Sequence, residues 1–327
     1  MTAPIPYILC CDWGTSSFRL RLVHRLTGNI SAEILSSQGV SIVYEQWREM
    51  NPLPSRETYY LEFIRNQIKG LEKKFGNPLD AVPFILTGMA SSSIGLRELP
   101  YAQTPFPLDG SAAISTQLVD NKRPILLVSG LRTNHEVMRG EEIQLMGLES
   151  LIRELEKPGT PTVVILPGTH SKHVVVEQGT ITDFSTAMTG ELFQLLSSRG
   201  LLSLSLGKPE KDDPPDWNAF GEGVRLARNQ ALLHALFKVR TNDLLGNFNP
   251  LQNFHFLSGL LIGAELSELR SYPDSPIVLC SSAHLLGNYQ YALRELGMID
   301  RTHQVSPEEF DHLTILSQIK IAERNGL

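Results

Sequence analysis

The sequence predicts an α/β protein of two domains, and three observations lead to this fold class. Short apolar runs typical of buried strands alternate with helical patterns along the whole chain. A strand–turn–strand unit opens the chain and occurs again about half-way along it. The length of 327 residues is enough for two domains of ordinary size, each with its own core.

The opening unit is a predicted β-hairpin. An apolar run from Tyr7 to Cys11 ends at Asp12-Trp-Gly-Thr-Ser-Ser, and residues 18–24 then alternate apolar and polar side chains, as a half-buried strand does. The second unit has a strand at 162–166, the polar turn Pro167-Gly-Thr-His-Ser-Lys and a strand at 173–176. Gly14 aligns with Gly168 at an offset of 154 positions (168 − 14). We therefore expect domains at residues 1–145 and 146–327, with the two turns facing each other across a cleft.

The remaining elements follow from the same patterns. The last predicted helix is a candidate to pack back on the N-terminal domain, and a polar loop is expected at 208–216. Helices are predicted at 55–75, 140–156, 218–238, 253–270, 284–296 and 307–324, and further strands at 82–86, 125–128 and 277–280.

Composition excludes several function classes. The net charge of −6 argues against a broad nucleic-acid surface, and no apolar run approaches the roughly 20 residues of a membrane helix. The N-terminus lacks the features of a signal peptide. The three cysteines form neither a disulfide framework nor a metal-ligand spacing, which favours a reducing compartment. We expect a soluble, cytoplasmic protein.

Both hairpin turns have the residue types that bind a nucleotide triphosphate. Phosphate oxygens need backbone N–H donors, and Mg²⁺ needs few carboxylates besides water. Gly14, Thr15 and Ser16 meet the first requirement after Asp12, which is placed to reach the metal. Gly168, Thr169, Ser171 and Lys172 meet it again in the second turn. One such turn is better explained as an ordinary hairpin turn, but two at matched positions favour phosphate binding.

The motifs of other phosphate- and metal-dependent enzymes are absent. The sequence has no Gly-x-x-x-x-Gly-Lys-Ser/Thr, and Gly221-Glu-Gly223 lacks the third glycine of a dinucleotide fingerprint. It has neither His-Glu-x-x-His nor Gly-x-Ser-x-Gly. These absences leave the two hairpin turns as the nucleotide-binding candidates.

A catalytic base and a substrate loop have more than one interpretation. Glu141 and Glu142 open a helix, where they either complement the helix dipole or supply the base that takes a hydroxyl proton. Arg139 beside them is suited to a substrate carboxylate. The loop Leu86–Arg97, with Ser91, Ser92 and Arg97, suits a polyol, although a plain surface loop explains it equally well. Gly259 and Gly263 indicate close helix packing, and Glu265 is interpreted as a satisfied or solvated side chain.

Asp12-Trp-Gly-Thr-Ser resembles the first phosphate motif of the sugar kinase, actin and heat-shock chaperone superfamily. Four blocks narrow the resemblance to the 2-dehydro-3-deoxygalactonokinase family, and each block alone is weakly specific. They are Val137–Gly147, Leu166–Lys172, Asp183–Leu192 and Phe256–Glu265. The resemblance extends from Tyr7 to the final helix. It implies two ribonuclease-H-like (actin-like) domains around a nucleotide cleft, and transfer of the ATP γ-phosphoryl group to the 6-hydroxyl of 2-dehydro-3-deoxy-D-galactonate.

The resemblance also implies roles for individual residues. Asp12 corresponds to the Mg²⁺ ligand, Gly14 and its neighbours to the first phosphate turn, and Gly168 and its neighbours to the second. Ser281 and Ser282 occupy the place of the adenosine motif, although relatives have glycines there. Relatives often have Gly-Asp-Gln where this chain has Gly140-Glu141-Glu142, so Glu141 is the candidate base and Glu142 the alternative. We expect Arg139 or Arg97 to bind the substrate carboxylate.

Three alternatives stay open on sequence alone. A phosphatase or polyphosphate hydrolase would use the same turns on water, and a kinase for another 2-keto-3-deoxy sugar acid would differ by one hydroxyl of its substrate. A nucleotide-sensing module would need a partner-binding appendage, for which the residues before Tyr7 leave little room. The expected partner is a small sugar acid. A homodimer is one candidate assembly.

Overall fold

The computed structural model of the chain describes residues 6–52, 54–210 and 213–327. Its internal contacts divide the chain into two units. Unit 1 contains the residues up to Glu154, with Gly179–Asp183 and Glu308–Leu327, and unit 2 contains Leu155–Gln178 and Phe184–Pro307. The functional division at residues 145 and 146 stays a prediction. Two residues of the predicted polar loop, 211 and 212, lie outside the described residues.

Strands and helices interleave along the described chain, as the sequence predicts. The strands are β1 Tyr7–Trp13, β2 Phe18–His24, β3 Ile30–Ser36, β4 Phe84–Gly88, β5 Ala102–Gln103, β6 Phe106–Pro107, β7 Ser115–Asp120, β8 Arg123–Val128, β9 Leu131–Arg132, β10 Val137–Met138, β11 Thr162–Leu166, β12 Ser171–Glu177, β13 Thr180–Ala187, β14 Ile277–Cys280 and β15 Thr302–Val305. The α-helices are α1 Val40–Arg48, α2 Arg56–Phe75, α3 Glu141–Gly147, α4 Glu149–Leu155, α5 Thr189–Ser198, α6 Gly200–Ser203, α7 Trp217–Asn229, α8 Leu232–Leu236, α9 Lys238–Leu244, α10 Pro250–Leu266, α11 Ala283–Glu295 and α12 Pro307–Arg324.

The main sheet of unit 1 has the order β3-β2-β1-β4-β8-β7. The first three strands are antiparallel, whereas β1, β4 and β8 run parallel to one another. Helix α2 is capped by Ser55, whose side chain accepts a hydrogen bond from the Thr58 N–H, and by Gly76 in the left-handed conformation (φ 84°). Its buried side chains recur every three or four residues, so one face packs on the sheet.

The sheet of unit 2 has the order β15-β14-β11-β12-β13. Again β11 and β12 are antiparallel, and β11, β14 and β15 are parallel. In both units the first strand, β1 or β11, therefore lies between its antiparallel hairpin partner and a parallel strand, which the chain reaches by a crossover connection. This shared 3-2-1-4-5 order is that of a ribonuclease-H-like sheet, and it confirms the predicted fold class. The first residues of β13 belong to unit 1, where they pair antiparallel with β6.

Helices α7 and α10 of unit 2 pack backbone to backbone. A Cβ atom on Gly259 would lie 2.0 Å from the carbonyl oxygen of Phe220, and one on Gly223 would lie 2.2 Å from that of Phe256. Any larger residue would force the two helices apart, so the predicted packing role of Gly259 is confirmed.

Two long helices predicted from the sequence are each divided in the structure. The predicted helix 140–156 is interrupted at Leu148, between α3 and α4. At its break, Gly147 packs so closely on α12 that a Cβ would lie 2.6 Å from the Leu313 carbonyl oxygen. The predicted helix 218–238 is interrupted where Gln230 adopts an extended backbone (φ −133°, ψ 149°). In the described ranges, no helix has the length and apolar character needed to cross a membrane.

Candidate functional site

The carboxylate of Asp12 lies beside two glycines in unit 1. The backbone of Asp12 pairs with Arg19 on β2 and with Thr87 on β4. Cβ atoms added to Gly88 and Gly140 would lie 3.2 Å and 3.8 Å from its Oδ1 atom. Both glycines have a positive φ, 81° and 106°, that other residues rarely adopt. Neither glycine therefore places a side chain against this carboxylate, which suits a hydrated metal ion.

Burial acts on the ionisation of this carboxylate. Loss of hydration raises the pKa of Asp12, while the nearby Arg19 and Arg21 act in the opposite direction. A bound cation would favour the ionised form further. No group of three or more His, Cys, Asp or Glu side chains placed to hold a metal ion occurs in the described residues. One carboxylate with water and phosphate oxygens is, however, an ordinary Mg²⁺ environment.

The turn after β1 presents free backbone donors. The Gly14 N–H donates to the Ser17 carbonyl (2.8 Å), whereas the N–H groups of Thr15 and Ser16 have no acceptor within the described part of the chain. Both residues are exposed. The start of α1 holds the turn in place, since the Val40 N–H donates a hydrogen bond to the Gly14 carbonyl (3.0 Å). A Cβ on Gly39 would lie 2.2 Å from the Thr15 carbonyl oxygen. The turn is thus fixed on one side and open on the other.

The turn after β11 is built in the same way within unit 2. The N–H of Glu191, in the first turn of α5, donates to the Thr169 carbonyl (3.0 Å). A Cβ on Gly190 would lie 2.5 Å from the Gly168 carbonyl oxygen. Around Gly168 itself, no atom of the described residues other than its chain neighbours lies within 4 Å of an added Cβ. The internal repeat predicted from the turns therefore extends to the helix and the glycine that hold each turn.

The side chains of the second turn differ in their surroundings. Thr169 is exposed, while Ser171 and Lys172 are buried. The Ser171 hydroxyl accepts a hydrogen bond from the Gly168 N–H (3.3 Å) and lies 3.1 Å from the Tyr289 hydroxyl. Ser171 therefore shapes the turn from inside. Next to it, His170 contacts Glu191 at 2.5 Å.

Ser281 and Ser282 follow β14, the parallel neighbour of β11, so they lie at the same edge of the unit 2 sheet as the Gly168 turn. The Ser281 side chain is buried and donates to the Ser282 carbonyl (3.2 Å). Ser282 is the N-cap of α11, and its hydroxyl lies 3.1 Å from His284 Nδ1. The role of these two residues in adenosine binding stays a prediction.

Glu141 and Glu142 differ in environment although they are adjacent. Glu141 is half-buried, and its carboxylate accepts a hydrogen bond from the Arg139 backbone N–H (3.0 Å). Glu142 is 3% exposed, and its two carboxyl oxygens accept from the Gly140 N–H at 3.0 and 2.8 Å. Burial, together with the charge of Glu141, raises the pKa of Glu142 to about 8. Glu142 therefore holds Gly140 in place through these hydrogen bonds.

We expect Glu142 to make stability fall with pH. Between its ordinary pKa of 4.5 and its native pKa of about 8, the native state binds more protons than the unfolded state, so the free energy of unfolding decreases as pH rises. In Glu142→Gln this decrease should be smaller, because a neutral amide replaces the titrating group. Urea denaturation at about pH 5 and about pH 8.5 measures the difference. Equal pH slopes for the wild type and the variant would contradict the prediction; exposed Glu62→Gln is the control.

The residues predicted to bind the substrate carboxylate have protein partners. The Arg139 guanidinium donates to the Ser91 hydroxyl (2.7 Å) and the Leu99 carbonyl (3.0 Å), and it lies 3.9 Å from the centre of the Tyr101 ring. It thereby joins the loop after β4 to the start of α3. The Arg97 guanidinium donates hydrogen bonds to both carboxyl oxygens of Glu57 on α2, at 2.8 and 2.9 Å. The Ser92 hydroxyl donates to the Met89 carbonyl (2.7 Å).

The structure brings most of the predicted residues to two sheet edges. In unit 1, β1, β4 and β8 are parallel, so the residues at their carboxyl ends, including Asp12 and Gly88, meet at one edge.

Sequence reasoning missed the supporting glycines Gly39, Gly88 and Gly190. The available signal was the position of each glycine at the start of a helix. Gly39 directly precedes α1, and Gly190 lies in the first turn of α5. The partners of Glu265 and the pairing of Arg97 had no local signal.

Comparisons with known proteins show which family the chain resembles. Residues 12–311 match the model of the 2-keto-3-deoxy-galactonokinase family. A 2-dehydro-3-deoxygalactonokinase of Escherichia coli (strain K12) is 35% identical over 225 residues, which are 67% of this chain and 72% of that protein. A candidate enzyme of the same name from Rhizobium meliloti (strain 1021) is 30% identical over 300 residues, which are 89% of this chain and 90% of that protein.

A solved structure extends the comparison to the fold. The crystal structure of a candidate 2-dehydro-3-deoxygalactonokinase protein from Sinorhizobium meliloti has a TM-score of 0.78 and 28% sequence identity, covering 98% of this chain and 96% of that one. The family match covers nearly the whole chain and includes both hairpin turns, Asp12 and the start of α3. The chain therefore belongs to the 2-keto-3-deoxy-galactonokinase family.

Proposed function

We propose that this protein is a kinase that transfers the γ-phosphoryl group of ATP to the 6-hydroxyl of 2-dehydro-3-deoxy-D-galactonate. One observation carries the proposal beyond family membership. Within unit 1, the carboxylate of Asp12 lies against Gly140, the residue that precedes the two glutamates of α3. The proposed metal ligand thus lies next to the glycine that directly precedes the proposed base, Glu141.

Asp12 would hold Mg²⁺, directly or through water, and bound Mg²⁺ neutralises charge on the phosphate oxygens. The free N–H groups of Thr15 and Ser16 would donate to phosphate oxygens, as would the turn at Gly168 and Thr169. Further contacts to ATP are proposed for Gly14, Ser171, Lys172, Ser281 and Ser282.

Glu141 would orient or deprotonate the acceptor hydroxyl. Its hydrogen bond with the Arg139 N–H fixes the carboxylate, and Glu142 fixes the glycine before it. Arg139 and Arg97, with Ser91 and Ser92, are proposed to form the surface for the sugar acid. Because Arg139 already binds Ser91 and Leu99, its contribution includes holding the substrate loop in shape.

A coupled assay of ADP release across 2-keto-3-deoxy sugar acids tests the proposal, with glycerol and hexoses as control acceptors. We expect the galactonate-derived acid to be used fastest and the gluconate-derived epimer more slowly. Equal rates on hexoses would overturn the narrow assignment. Phosphate release without any sugar acid would favour a hydrolase. A cytoplasmic location and a homodimer stay predictions.

Gly168→Ala is expected to weaken ATP binding without lowering stability. The described part of the protein leaves room for the methyl group at this position, so a loss of affinity would report a ligand that approaches the backbone. We expect the dissociation constant for ATP to rise about tenfold or more, which corresponds to about 1.4 kcal/mol. Calorimetric titration with ATP measures it, and an unchanged melting temperature is the control. Wild-type affinity in this variant would place the phosphates elsewhere.

A further inference from the structure

A buried hydrogen-bond network lies beneath the second phosphate turn, and Glu265 is at its centre. Glu265 is on α10 and is 5% exposed. Its Oε1 atom lies 3.1 Å from Nε2 of His173, on β12. Its Oε2 atom accepts hydrogen bonds from the Tyr289 hydroxyl (2.8 Å) and from the Thr189 hydroxyl. All these residues belong to unit 2.

The first branch of the network reaches the turn through Tyr289. The Tyr289 hydroxyl lies 3.1 Å from the hydroxyl of Ser171, which in turn accepts from the Gly168 N–H (3.3 Å). A carboxylate can only accept hydrogen bonds, so Tyr289 must donate to Glu265. The Tyr289 oxygen can then accept a hydrogen bond from the Ser171 hydroxyl, and the Ser171 oxygen accepts one from the Gly168 N–H. Each donor in this chain therefore points toward the carboxylate of Glu265, which sets the direction.

The second branch reaches the same turn through α5. Thr189 is the first residue of α5 and donates to Glu265. The next two residues touch the turn directly, since Gly190 packs on the Gly168 carbonyl and the Glu191 N–H donates to the Thr169 carbonyl (3.0 Å). One buried carboxylate thus holds both sides of the turn.

A structural role in the core does not explain this arrangement fully. Burying a carboxylate is costly, and a well-packed apolar side chain would stabilise the helix packing equally well or better. What an apolar residue could not do is fix the Ser171 and Thr189 hydroxyls at once. The Ser171 hydroxyl accepts from the Gly168 N–H, and Thr189 directly precedes Gly190 and Glu191, which contact the carbonyls of Gly168 and Thr169.

We propose that Glu265 is a positioning residue for nucleotide binding, which presets the Gly168 turn through Tyr289 and Thr189. The proposal deepens the proposed kinase function and rests on it. Sequence interpretation had assigned Glu265 only a satisfied or solvated side chain, because nothing local connects it to a turn 97 positions earlier in the chain (265 − 168).

Tyr289→Phe tests the first branch, because it removes one hydroxyl and keeps the ring. We expect the dissociation constant for ATP and the KM for ATP to rise about five- to tenfold, the size of one lost hydrogen bond. The KM for the sugar acid should stay within about twofold. Tyr291→Phe is the matched control on the same helix, since Tyr291 stacks on Trp217 outside the network. It should bind ATP as the wild type does.

Thr189→Val tests the second branch, and the double variant tests their connection. Because both branches act on one turn, the combined effect on ATP affinity should differ from the product of the single effects. Glu265→Gln keeps the shape of the side chain and should weaken ATP binding at least as much as Tyr289→Phe. Wild-type ATP affinity in all these variants would overturn the proposal, as would equal changes in both KM values with a lower melting temperature.

Titration with ATP alone separates the two proposals. If the wild type binds ATP but phosphorylates no sugar acid, the proposed substrate fails while the binding data still test Glu265. If the wild type phosphorylates the sugar acid and Tyr289→Phe binds ATP normally, the positioning role fails alone.

Discussion

Asp12→Asn is expected to lower kcat by about 10³-fold or more while the protein stays folded. Asparagine keeps the size and the oxygen of the side chain but removes the charge that would attract Mg²⁺. Stability should not decrease, because burial already raises the pKa of Asp12 and the amide avoids the cost of burying a charge. The expected loss is therefore one of catalysis.

The measurement is steady-state kinetics with ATP and the sugar acid over a range of Mg²⁺ concentrations, together with a melting temperature. Asp80→Asn removes an exposed carboxylate from the same unit and serves as the control. Partial recovery of the Asp12→Asn rate at high Mg²⁺ would support the metal role. A rate within a few-fold of the wild type would show that the metal is held elsewhere.

Glu141→Gln is expected to lower kcat about 10²- to 10⁴-fold, the usual contribution of a general base. The glutamine oxygen can still accept the hydrogen bond from the Arg139 N–H, so the start of α3 should keep its conformation. The KM for ATP should change little, since the residue is proposed to act on the acceptor hydroxyl. Single-turnover rates as a function of pH measure the loss and show whether the rise in rate with pH that deprotonation of the base would cause disappears.

Glu142→Gln distinguishes the two neighbouring carboxyl groups. Glu142 is buried and bonded to the Gly140 N–H, so we expect a smaller effect on kcat than that of Glu141→Gln. Its variant should instead show the altered pH dependence of stability described above. A full rate in Glu141→Gln with a lost rate in Glu142→Gln would assign the base to Glu142.

Much of the fold follows from local patterns that the sequence displays. The strands Thr162–Leu166 and Ile277–Cys280 and the helix Pro307–Arg324 have their predicted bounds. Each combines a strong apolar pattern with a clear start or stop signal. Edge strands such as β7 and β15 were missed because their alternation is weak and many of their side chains are exposed.

The candidate site was predictable where it lies on a turn. The positions of Asp12, Gly14 and Gly168 follow from the end of a strand and the residue types of a hairpin. The bidentate pairing of Arg97 with Glu57 was not predictable, since 40 positions separate the two residues and either one alone looks solvated. For the same reason, the resemblance to a kinase family predicts roles for whole motifs but not the partners of single side chains.

By itself, the sequence determined two α/β halves that each begin with a hairpin, a glycine-containing polar turn after each first strand, and the family. These depend on steric and hydrophobic preferences between residues only a few positions apart. Only the tertiary structure decided that Glu142 is buried with a raised pKa, that Gly39 and Gly190 support the turns, and that Glu265 lies under one of them. Those properties depend on dehydration and on contacts between distant segments, which no local pattern encodes.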